Sequence, residues 1–325
     1  MQISDPLNDK VTRKATRDGY GAGLVSIGKS RSNVVVLDAD LSGSTKTGPF
    51  AAEFPDRFYN FGVAEQNMIG QAAGFAMSGL IPVASSFAMF VTGRAWEIVR
   101  NSVAYPGLNV KLAATHAGIT LGEDGASHQT IEDIALMRAI PGMTVIVPAD
   151  YWQAFRAIER AVEFDGPVYL RLGRPGIPML YDENDDFAIG KADIVQEGSK
   201  VAILATGVMV YEGYKAARLL EQKTGIRPMV VNFSTIKPLD EEMMKRVVSG
   251  CDEILTLEEH NVLGGFGSAV AEWCGTHHPI KVTRIGVDDI FGQSGTIDSL
   301  MKEYSLTAGQ VSERIAKALK VTTSA

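Results

Sequence analysis

Two of the five histidines lie close together in residues 114–133, ATHAGITLGEDGASHQTIED. His116 ends an apolar, strand-like run, and His128 follows a Gly-Glu-Asp-Gly turn that contains Asp124. Glycines permit tight backbone geometry near a ligand, and imidazole can donate or accept hydrogen bonds with hydroxyl groups. Metal ligation is a rival interpretation, but the spacing matches no common zinc pattern. The segment therefore predicts a loop that binds a hydroxylated ligand.

Glu65 stands at the junction of a short strand and a helix of small and apolar residues, in FGVAEQNMIGQAAGFAMSG. A structural explanation exists, because glutamate in the first turn of a helix interacts favourably with the helix dipole. The apolar neighbours, Phe61 and Met68 among them, predict that Glu65 is largely buried. A buried carboxyl must be partnered or neutral. Such a carboxyl is suited to share a proton with a heteroaromatic nitrogen.

Further candidates follow strand-like runs or open the first helix. Arg17 lies in KATRDGYG, Ser44 in DADLSGS and Arg174 in YLRLGRPG. Singly, they have structural explanations as a surface arginine, a loop serine and a strand-end arginine. Arginine is nevertheless well suited to phosphate, because its planar guanidinium meets two oxygens at once.

The elements that position these residues alternate between strand and helix. The first half has strand-like runs and helices as follows: strands 33–41, 59–63, 81–87, 109–117, 143–150 and 167–174, and helices 11–30, 64–80, 92–103, 128–140 and 151–164. Such alternation predicts right-handed crossovers and a mainly parallel sheet covered by helices. Open parallel sheets bind ligands beyond the carboxyl ends of their strands, where most of the candidates lie.

The alternation stops in residues 175–198, where prolines, glycines and the acidic run DENDD predict an exposed linker. It then restarts, with strands at 200–207, 227–234, 252–260 and 280–287 and helices at 212–225, 239–250, 264–275 and 308–320. We therefore predict an α/β protein with two doubly wound, mainly parallel domains, at residues 1–190 and 191–325.

The composition is that of an ordinary globular protein, with 46% hydrophobic and 21% charged residues among 325. The net charge of −7 argues against a nucleic-acid or anionic-membrane surface. Cys251 and Cys274 give neither a disulfide framework nor a metal-binding spacing. The N-terminal residues lack a signal-peptide core, and no run approaches the ~20 apolar residues needed to span a bilayer. We expect a cytoplasmic protein.

The segment GVAEQNM resembles the glutamate motif of thiamine-diphosphate enzymes of the transketolase type. The resemblance implies that Glu65 hydrogen-bonds a ring nitrogen of the cofactor's aminopyrimidine and so favours the tautomer that activates the cofactor. It also implies that Phe87 and Phe90 line the aminopyrimidine pocket, with Phe90 stacking on the ring. Without the resemblance, the sequence predicts only that both are phenylalanines of the hydrophobic core. Many transketolases have a third aromatic residue where this sequence has Gly93.

The segment 114–133 looks like the transketolase loop that binds the donor sugar, and we call it the donor loop. The resemblance implies that His128 lies near the first hydroxyl of the ketose and that Asp124 bonds a hydroxyl further along. It implies that His116 holds the sugar phosphate, with Arg17, Ser44 and Arg174. It places Asp40 near the thiazolium and the substrate, whereas Asp38 more simply ends its strand.

The motif GVAEQNM alone does not separate transketolase from 1-deoxyxylulose-5-phosphate synthase or from 2-oxo-acid dehydrogenase β subunits. The pair Thr115-His116 favours transketolase, because the related synthase loop lacks it. A phosphate pocket separates transketolase from the dehydrogenases. A non-catalytic homologue that regulates a complete enzyme is a further alternative.

The sequence contains no Gly-Asp-Gly motif of the kind that thiamine-diphosphate enzymes use, with a later Asn, to hold the diphosphate through Mg²⁺. The resemblance therefore implies an N-terminal partner subunit that binds most of the diphosphate and Mg²⁺, in an α2β2 assembly. The resemblance also implies that residues 1–190 form a pyrimidine-binding domain and that residues 191–325 form a transketolase C-terminal domain.

The expected reaction moves a two-carbon ketol unit from a ketose phosphate to an aldose phosphate. The pentose phosphate pathway is the expected setting, although the sugar pair is not fixed and a specialised sugar phosphate is an alternative. The segment LEEHNVLGGFGSAVAEW resembles the family's third domain. Its Glu258, Glu259 and His260 are expected to have an interface or capping role rather than a catalytic one.

Overall fold

The computed structural model describes residues 6–7 and 11–321. Its strands, in chain order, are β1 (Arg13–Ala15), β2 (Val34–Asp38), β3 (Phe58–Asn60), β4 (Ile81–Phe87), β5 (Lys111–Thr115), β6 (Thr144–Ile146), β7 (Val168–Arg171), β8 (Gly176–Pro178), β9 (Asp193–Gln196), β10 (Lys200–Ala205), β11 (Met229–Asn232), β12 (Thr235–Lys237), β13 (Cys251–Asn261) and β14 (Lys281–Val287).

The α-helices are α1 (Thr16–Ser30), α2 (Ser42–Thr45), α3 (Gly48–Glu53), α4 (Glu65–Met77), α5 (Trp96–Ile98), α6 (Asp133–Arg138), α7 (Tyr151–Glu163), α8 (Met209–Thr224), α9 (Glu241–Gly250), α10 (Phe266–His277), α11 (Ile297–Glu303) and α12 (Ala308–Ala318). Short turns of 3-10 or π type lie at Pro55–Arg57, Phe90–Arg94, Val99–Ala104 and Ile119–Leu121. Among the described helices, none is long and apolar enough to cross a membrane.

The first domain is built on a seven-stranded sheet in the order β12-β6-β7-β5-β4-β2-β3. The strands from β2 to β7 are parallel. Every residue of β2 and β4 is buried, as expected for parallel strands that helices cover on both faces. The central strands of this sheet end side by side, so the loops that follow them meet at one edge.

The edge strand β12 comes from the second half of the chain and runs antiparallel to β6. The backbone N–H of Val147 donates to the carbonyl of Ser234 at 2.7 Å and extends this pairing. The Lys237 ammonium donates to the carbonyls of Arg138 and Ile140, at 2.9 and 2.6 Å. The second half of the chain therefore completes the first sheet.

The second domain contains a five-stranded sheet in the order β14-β13-β10-β11-β9. Its strands are parallel except β9, which runs antiparallel to β11. Helix α9 begins at an aspartate cap, because the Asp240 carboxylate accepts the N–H of Met243 at 3.1 Å. The two mainly parallel sheets confirm the predicted α/β class.

The first helix is shorter than predicted and is locked against α7. Residues 13–15 form β1, which pairs antiparallel with β8, so α1 begins at Thr16 rather than at residue 11. Gly19 and Gly23 face α7, and a Cβ atom at Gly19 would overlap the carbonyl of Tyr151. This close approach fixes the start of α1, which carries Arg17.

The prediction of an exposed linker at 175–198 is wrong in part. The acidic run 182–186 is mostly exposed, but Leu180 and Tyr181 are buried. Their backbone N–H groups donate to one carboxylate oxygen of Asp150, at 2.6 and 2.8 Å. The segment also contains β8 and β9, so most of it is packed onto the two domains.

Two predicted helices also differ from the structure. The stretch 92–103 combines α5 with π turns at Phe90–Arg94 and Val99–Ala104. The predicted helix 128–140 is reduced to α6, Asp133–Arg138. The residues before it belong to the donor loop, where Ala117 forms a bridge with Thr130.

Candidate active site

The predicted site residues gather at the carboxyl edge of the first sheet. Phe87 ends β4, His116 follows β5, and Glu65 opens α4 after β3. The strands β7, β5, β4, β2 and β3 are consecutive neighbours in the sheet. Their loops therefore face a common surface, as the sequence predicts.

Arg17 is brought to this surface by a contact between α1 and the loop after β7. The hydroxyl of Thr16 accepts the N–H of Gly173 at 2.7 Å. The Arg17 Nη1 donates to the backbone carbonyl of Ser44 at 3.0 Å and to His116 Nε2 at 3.2 Å. Arg17, Ser44 and His116 are thus brought together, with Ser44 taking part through its main chain.

The Arg17 guanidinium is not fully satisfied by these contacts. Its Nε atom is buried and has no hydrogen-bond partner among the described residues. Burial lowers the pKa of Arg17, Asp18 opposes the change, and the charge of Arg174 adds to it. A buried donor and two neighbouring cations make this a place where an anion would be stabilised.

His116 is neutral, and its contacts define its tautomer. Arginine can only donate, so the Nε2 that faces Arg17 must be the unprotonated nitrogen. The Nδ1–H then donates to the Thr115 hydroxyl at 2.8 Å. Burial, followed by the charges of Arg17 and Arg174, lowers the pKa of His116 to about 3. The backbone φ of His116 is +62°, a region that non-glycine residues rarely adopt.

Arg174 connects the end of β7 with the donor loop. Its Nη1 donates to the carbonyl of Leu121 at 2.5 Å and to the carboxylate of Glu123 at 3.1 Å. Arg174 is close enough for its charge to act on both Arg17 and His116. Arg17 and Arg174, with the neighbouring His116 and Ser44, are called the cationic group below; they are the residues that the resemblance assigns to the sugar phosphate.

An aromatic group lies beside the cationic one. The rings of Phe87 and His116 stack with their centroids 3.9 Å apart. The ring of Phe90 meets His128 edge-on at 5.4 Å, and Phe87 lies 6.3 Å from His128. His128 Nδ1 is 2.9 Å from the Ser127 hydroxyl. Both phenylalanines and both histidines of the prediction thus form one cluster.

Glu65 is buried, as predicted, with 1% of its side chain exposed. Its partner is Arg94, whose Nη1 donates to Glu65 Oε2 at 2.7 Å. The Arg94 guanidinium also lies over the Phe90 ring, 4.7 Å from the centroid. Arg94 was not predicted as a site residue, although it directly follows Gly93 in the sequence. Its side chain is 47% exposed, so one face of the ion pair is open to solvent.

Asp38 and Asp40 have different surroundings. Asp38 ends β2, is buried, and accepts hydrogen bonds from Leu41 N and from the hydroxyls of Thr45 and Thr47. Asp40 is exposed, has a φ of +65°, and is held by the Asn60 amide, which donates to Asp40 Oδ1 at 3.0 Å. Asp38 is therefore structural, whereas Asp40 faces the open surface.

Asp124 and Gly93 both lie at exposed positions of the site. Asp124 is exposed on the turn of the donor loop. At Gly93, an added Cβ atom would meet only the Met89 sulfur, at 3.5 Å, among the described residues. The position where many transketolases have a third aromatic residue is therefore an open side of the cluster.

A cavity of about 560 Å³ lies between the β1–β8 ribbon and the second domain. Arg13, Glu123 and Glu212 are among the residues that line it, but none of the predicted site residues does. Among the described residues, no group of three or more His, Cys, Asp or Glu side chains could hold a metal ion.

Two family models cover most of the chain. The transketolase pyrimidine-binding domain matches residues 12–179, and the transketolase C-terminal domain matches residues 190–311. The chain therefore belongs to the transketolase family, whose members use thiamine diphosphate. This confirms the resemblance that GVAEQNM and the donor loop indicated.

Within the family, the chain corresponds to the C-terminal section of split transketolases. A Methanocaldococcus jannaschii protein, provisionally named as a transketolase C-terminal section, is 51% identical over 94% of this chain and 97% of its own. The 6-deoxy-6-sulfo-D-fructose transketolase subunit SqwH of Clostridium sp. is 41% identical over 95% and 96%. A solved split-gene transketolase, described as an inactive β4 tetramer, is 47% identical with a TM-score of 0.86, over 94% and 98%.

Full-length transketolases are longer. The Rattus norvegicus transketolase is 35% identical over 94% of this chain but only 49% of its own length. The present chain therefore matches about half of that enzyme.

Proposed function

We propose that this chain is one subunit of a two-chain transketolase that moves a two-carbon ketol unit from a ketose phosphate to an aldose phosphate. When bound, thiamine diphosphate supplies the nucleophilic carbon that takes up the ketol unit. The chain itself supplies the residues that bind the cofactor's pyrimidine end and the donor sugar.

The cationic group is the observation that carries this proposal. Arg17 has a buried, unpartnered Nε and contacts His116, and the charge of Arg174 acts on both. An enzyme that acts on unphosphorylated 2-oxo acids has no use for such a group. A phosphate accepts several charge-assisted hydrogen bonds at once. We infer that the phosphate of the donor ketose binds to Arg17, Arg174, His116 and Ser44.

The sugar's reacting end would then lie toward the aromatic cluster. His128 contacts Phe90 there, and its imidazole can exchange a proton with the first hydroxyl of the ketose. We infer that Asp124, which is exposed on the turn of the donor loop, accepts a hydrogen bond from a hydroxyl further along the sugar. Asp40 projects from the end of β2 and contributes negative charge near the reacting carbons.

The residues around Glu65 fit the aminopyrimidine ring of the cofactor. Glu65 is a buried carboxyl at the start of α4, and Phe90 offers a ring face within the same cluster. We infer that Glu65 hydrogen-bonds a ring nitrogen and that Phe87 and Phe90 form the wall of the pocket. Arg94 holds Glu65 in this structure, so the cofactor nitrogen would have to share or replace that contact.

The diphosphate and Mg²⁺ need ligands from elsewhere. Mg²⁺ prefers several hard oxygen ligands, and no suitable acidic cluster lies among the described residues. We propose that an N-terminal subunit supplies the Mg²⁺ and diphosphate site and joins this chain in an α2β2 enzyme. The inactive β4 tetramer of the split-gene relative supports this proposal, because that β chain assembles without being active.

The sugar pair is a separate question. One relative is named for 6-deoxy-6-sulfo-D-fructose, and others, from Phocaeicola vulgatus and Actinobacillus succinogenes, are named for apulose-4-phosphate. A cationic group of this kind suits a phosphate or a sulfonate at the far end of the sugar. A phosphorylated ketose is the primary proposal here, and the sulfonated analogue is the comparison to make.

The proposal is tested by combining the chain with its N-terminal partner, thiamine diphosphate and Mg²⁺. Ketol transfer from a ketose phosphate is expected, whereas pyruvate decarboxylation and deoxyxylulose phosphate synthesis should be absent. Glu65→Gln should lower kcat by about 100-fold or more, the order expected for a group that controls proton transfer. Unchanged activity of Glu65→Gln would contradict the catalytic assignment, and absence of all three reactions would favour a regulatory homologue.

A further inference from the structure

The end of β13 in the second domain reaches the base of the donor loop. Glu259 is 3% exposed, and its Oε1 accepts the backbone N–H of Thr120. Its backbone carbonyl accepts a hydrogen bond from Arg171 Nη2 at 2.9 Å. Glu259 is thus held by the first domain through its main chain, while its side chain holds the loop.

The loop backbone is shaped around this carboxylate. Gly118 has a φ of +82°, and a Cβ atom there would overlap the Glu259 carboxylate. Gly118 N also donates to the carbonyl of Thr130 at 2.8 Å, which closes the loop on itself. Only glycine allows the loop to turn tightly against the buried acid.

The segment that Glu259 holds leads directly into the substrate-facing residues. Thr120 lies in the 3-10 turn Ile119–Leu121, and the carbonyl of Leu121 accepts the hydrogen bond from Arg174. The turn with Asp124 follows, and then His128. A displacement at Thr120 would therefore be transmitted to Arg174 and to the tip of the loop.

A second contact comes from the same domain. The side-chain amide of Gln129 donates to the carbonyl of Gln293 at 3.0 Å, and also to the carbonyls of Ile119 and Gly122. The second domain therefore contacts the donor loop at two positions, Thr120 and Gln129.

We propose that Glu259 is a positioning residue that fixes the donor loop for sugar binding, which gives the second domain a role in donor affinity. The role of the loop rests on the function proposed above, but the contact itself can be tested without activity. Glu259 does not touch the reacting atoms. It acts through Thr120 and the turn that follows.

Glu258 offers a matched control on the same strand. It is also fully buried and also accepts backbone N–H groups, from Phe266 at 2.6 Å and Gly267 at 2.7 Å. Those groups belong to the start of α10, within the second domain. Loss of either carboxylate removes a buried acceptor, but only Glu259 contacts the donor loop.

In the two-chain enzyme, Glu259→Met should raise the KM for the donor ketose by about tenfold, the order expected when a buried hydrogen bond that orders the site is lost. The KM for the acceptor aldose should stay the same, with kcat within about threefold of the unmodified enzyme. Glu259→Gln, which keeps an acceptor oxygen, should restore most of the donor affinity. Glu258→Gln should lower thermal stability and leave the donor KM unchanged.

Hydrogen–deuterium exchange on the chain alone gives an answer independent of catalysis. Peptides covering 118–130 should exchange faster in Glu259→Met, or in Glu259→Ala if the methionine variant does not fold, and stay protected in Glu259→Gln and Glu258→Gln. Unchanged exchange and an unchanged donor KM would overturn the inference, as would an equal rise in donor KM in Glu258→Gln. If the unmodified complex shows no ketol transfer, the proposed function is contradicted, but the contact between Glu259 and the donor loop is not.

Discussion

Replacing Arg17 with methionine should weaken the binding of a phosphorylated donor far more than that of an unphosphorylated one. Arg17 is half-buried, and its Nη1 is used by Ser44 and His116, whereas its Nε has no partner among the described residues. A phosphate would gain at least one charge-assisted hydrogen bond from this guanidinium. Methionine preserves much of the apolar stem and removes every donor.

The expected magnitude follows from that lost contact. A hydrogen bond to a charged group contributes about 1.5–3 kcal/mol, which corresponds to a rise in the donor KM of about 10- to 150-fold. Arg174 would still neutralise part of the phosphate charge, so the lower half of that range is expected. The donor KM of Arg17→Lys should lie between those of the unmodified enzyme and Arg17→Met, because lysine keeps the charge and loses the planar guanidinium.

The assay is steady-state ketol transfer in the two-chain enzyme, with a ketose phosphate and the matching free ketose as alternative donors. Arg160 is a suitable control, because it is a surface arginine paired with Glu163 and Asp186. Arg160→Met should change neither KM. An equal loss for both donors in Arg17→Met would show that Arg17 shapes the site without binding phosphate, and no loss would refute the phosphate assignment.

Two further predictions concern stability, measured by urea unfolding of the chain. Asp133→Asn removes the carboxylate that pairs with Arg171, which is 6% exposed and lies 2.7 Å from it, and should lower the free energy of unfolding by about 3–5 kcal/mol. The surface substitution Glu163→Gln should lower the free energy of unfolding by less than about 1 kcal/mol. Equal effects of the two substitutions would contradict the reasoning. Burial lowers the pKa of Lys111 to about 7, so the unfolded chain binds more protons between pH 7 and 10, and stability should rise with pH there by something of the order of 3 kcal/mol. Lys111→Met should remove that rise relative to the unmodified chain, and persistence of the rise would assign it to other groups.

The sequence predicts the fold well where periodicity is local. β4 matches its predicted bounds, because IPVASSF is a mainly apolar segment that is buried along its whole length. β12 was not predicted, since Thr-Ile-Lys has no pattern of its own and becomes a strand only by pairing with β6. β1 and β8 were not predicted for the same reason, since each becomes a strand only by pairing with the other.

The sequence predicts which residues gather at the site, but it does not predict which side chains they contact. Glu65, His116 and His128 were found because their motifs are local in sequence. The partners that hold them are distant, such as Arg94 for Glu65 and Arg17 for His116. A pairing between Glu259 and Thr120 N joins residues far apart in the chain, and no spacing rule indicates it. The roles of the predicted residues stay predictions until the variants are measured.

The strand β12 has a consequence for how this protein can be divided or recombined. A fragment that ends in the segment between the two family matches would leave β6 as an open edge, with unpaired backbone groups beside buried apolar residues. Such an edge is a template for pairing with other chains and for aggregation. A chimera that takes its second domain from a relative must also bring a segment compatible with residues 234–238. The whole chain, rather than either domain, is therefore the unit to exchange with a relative.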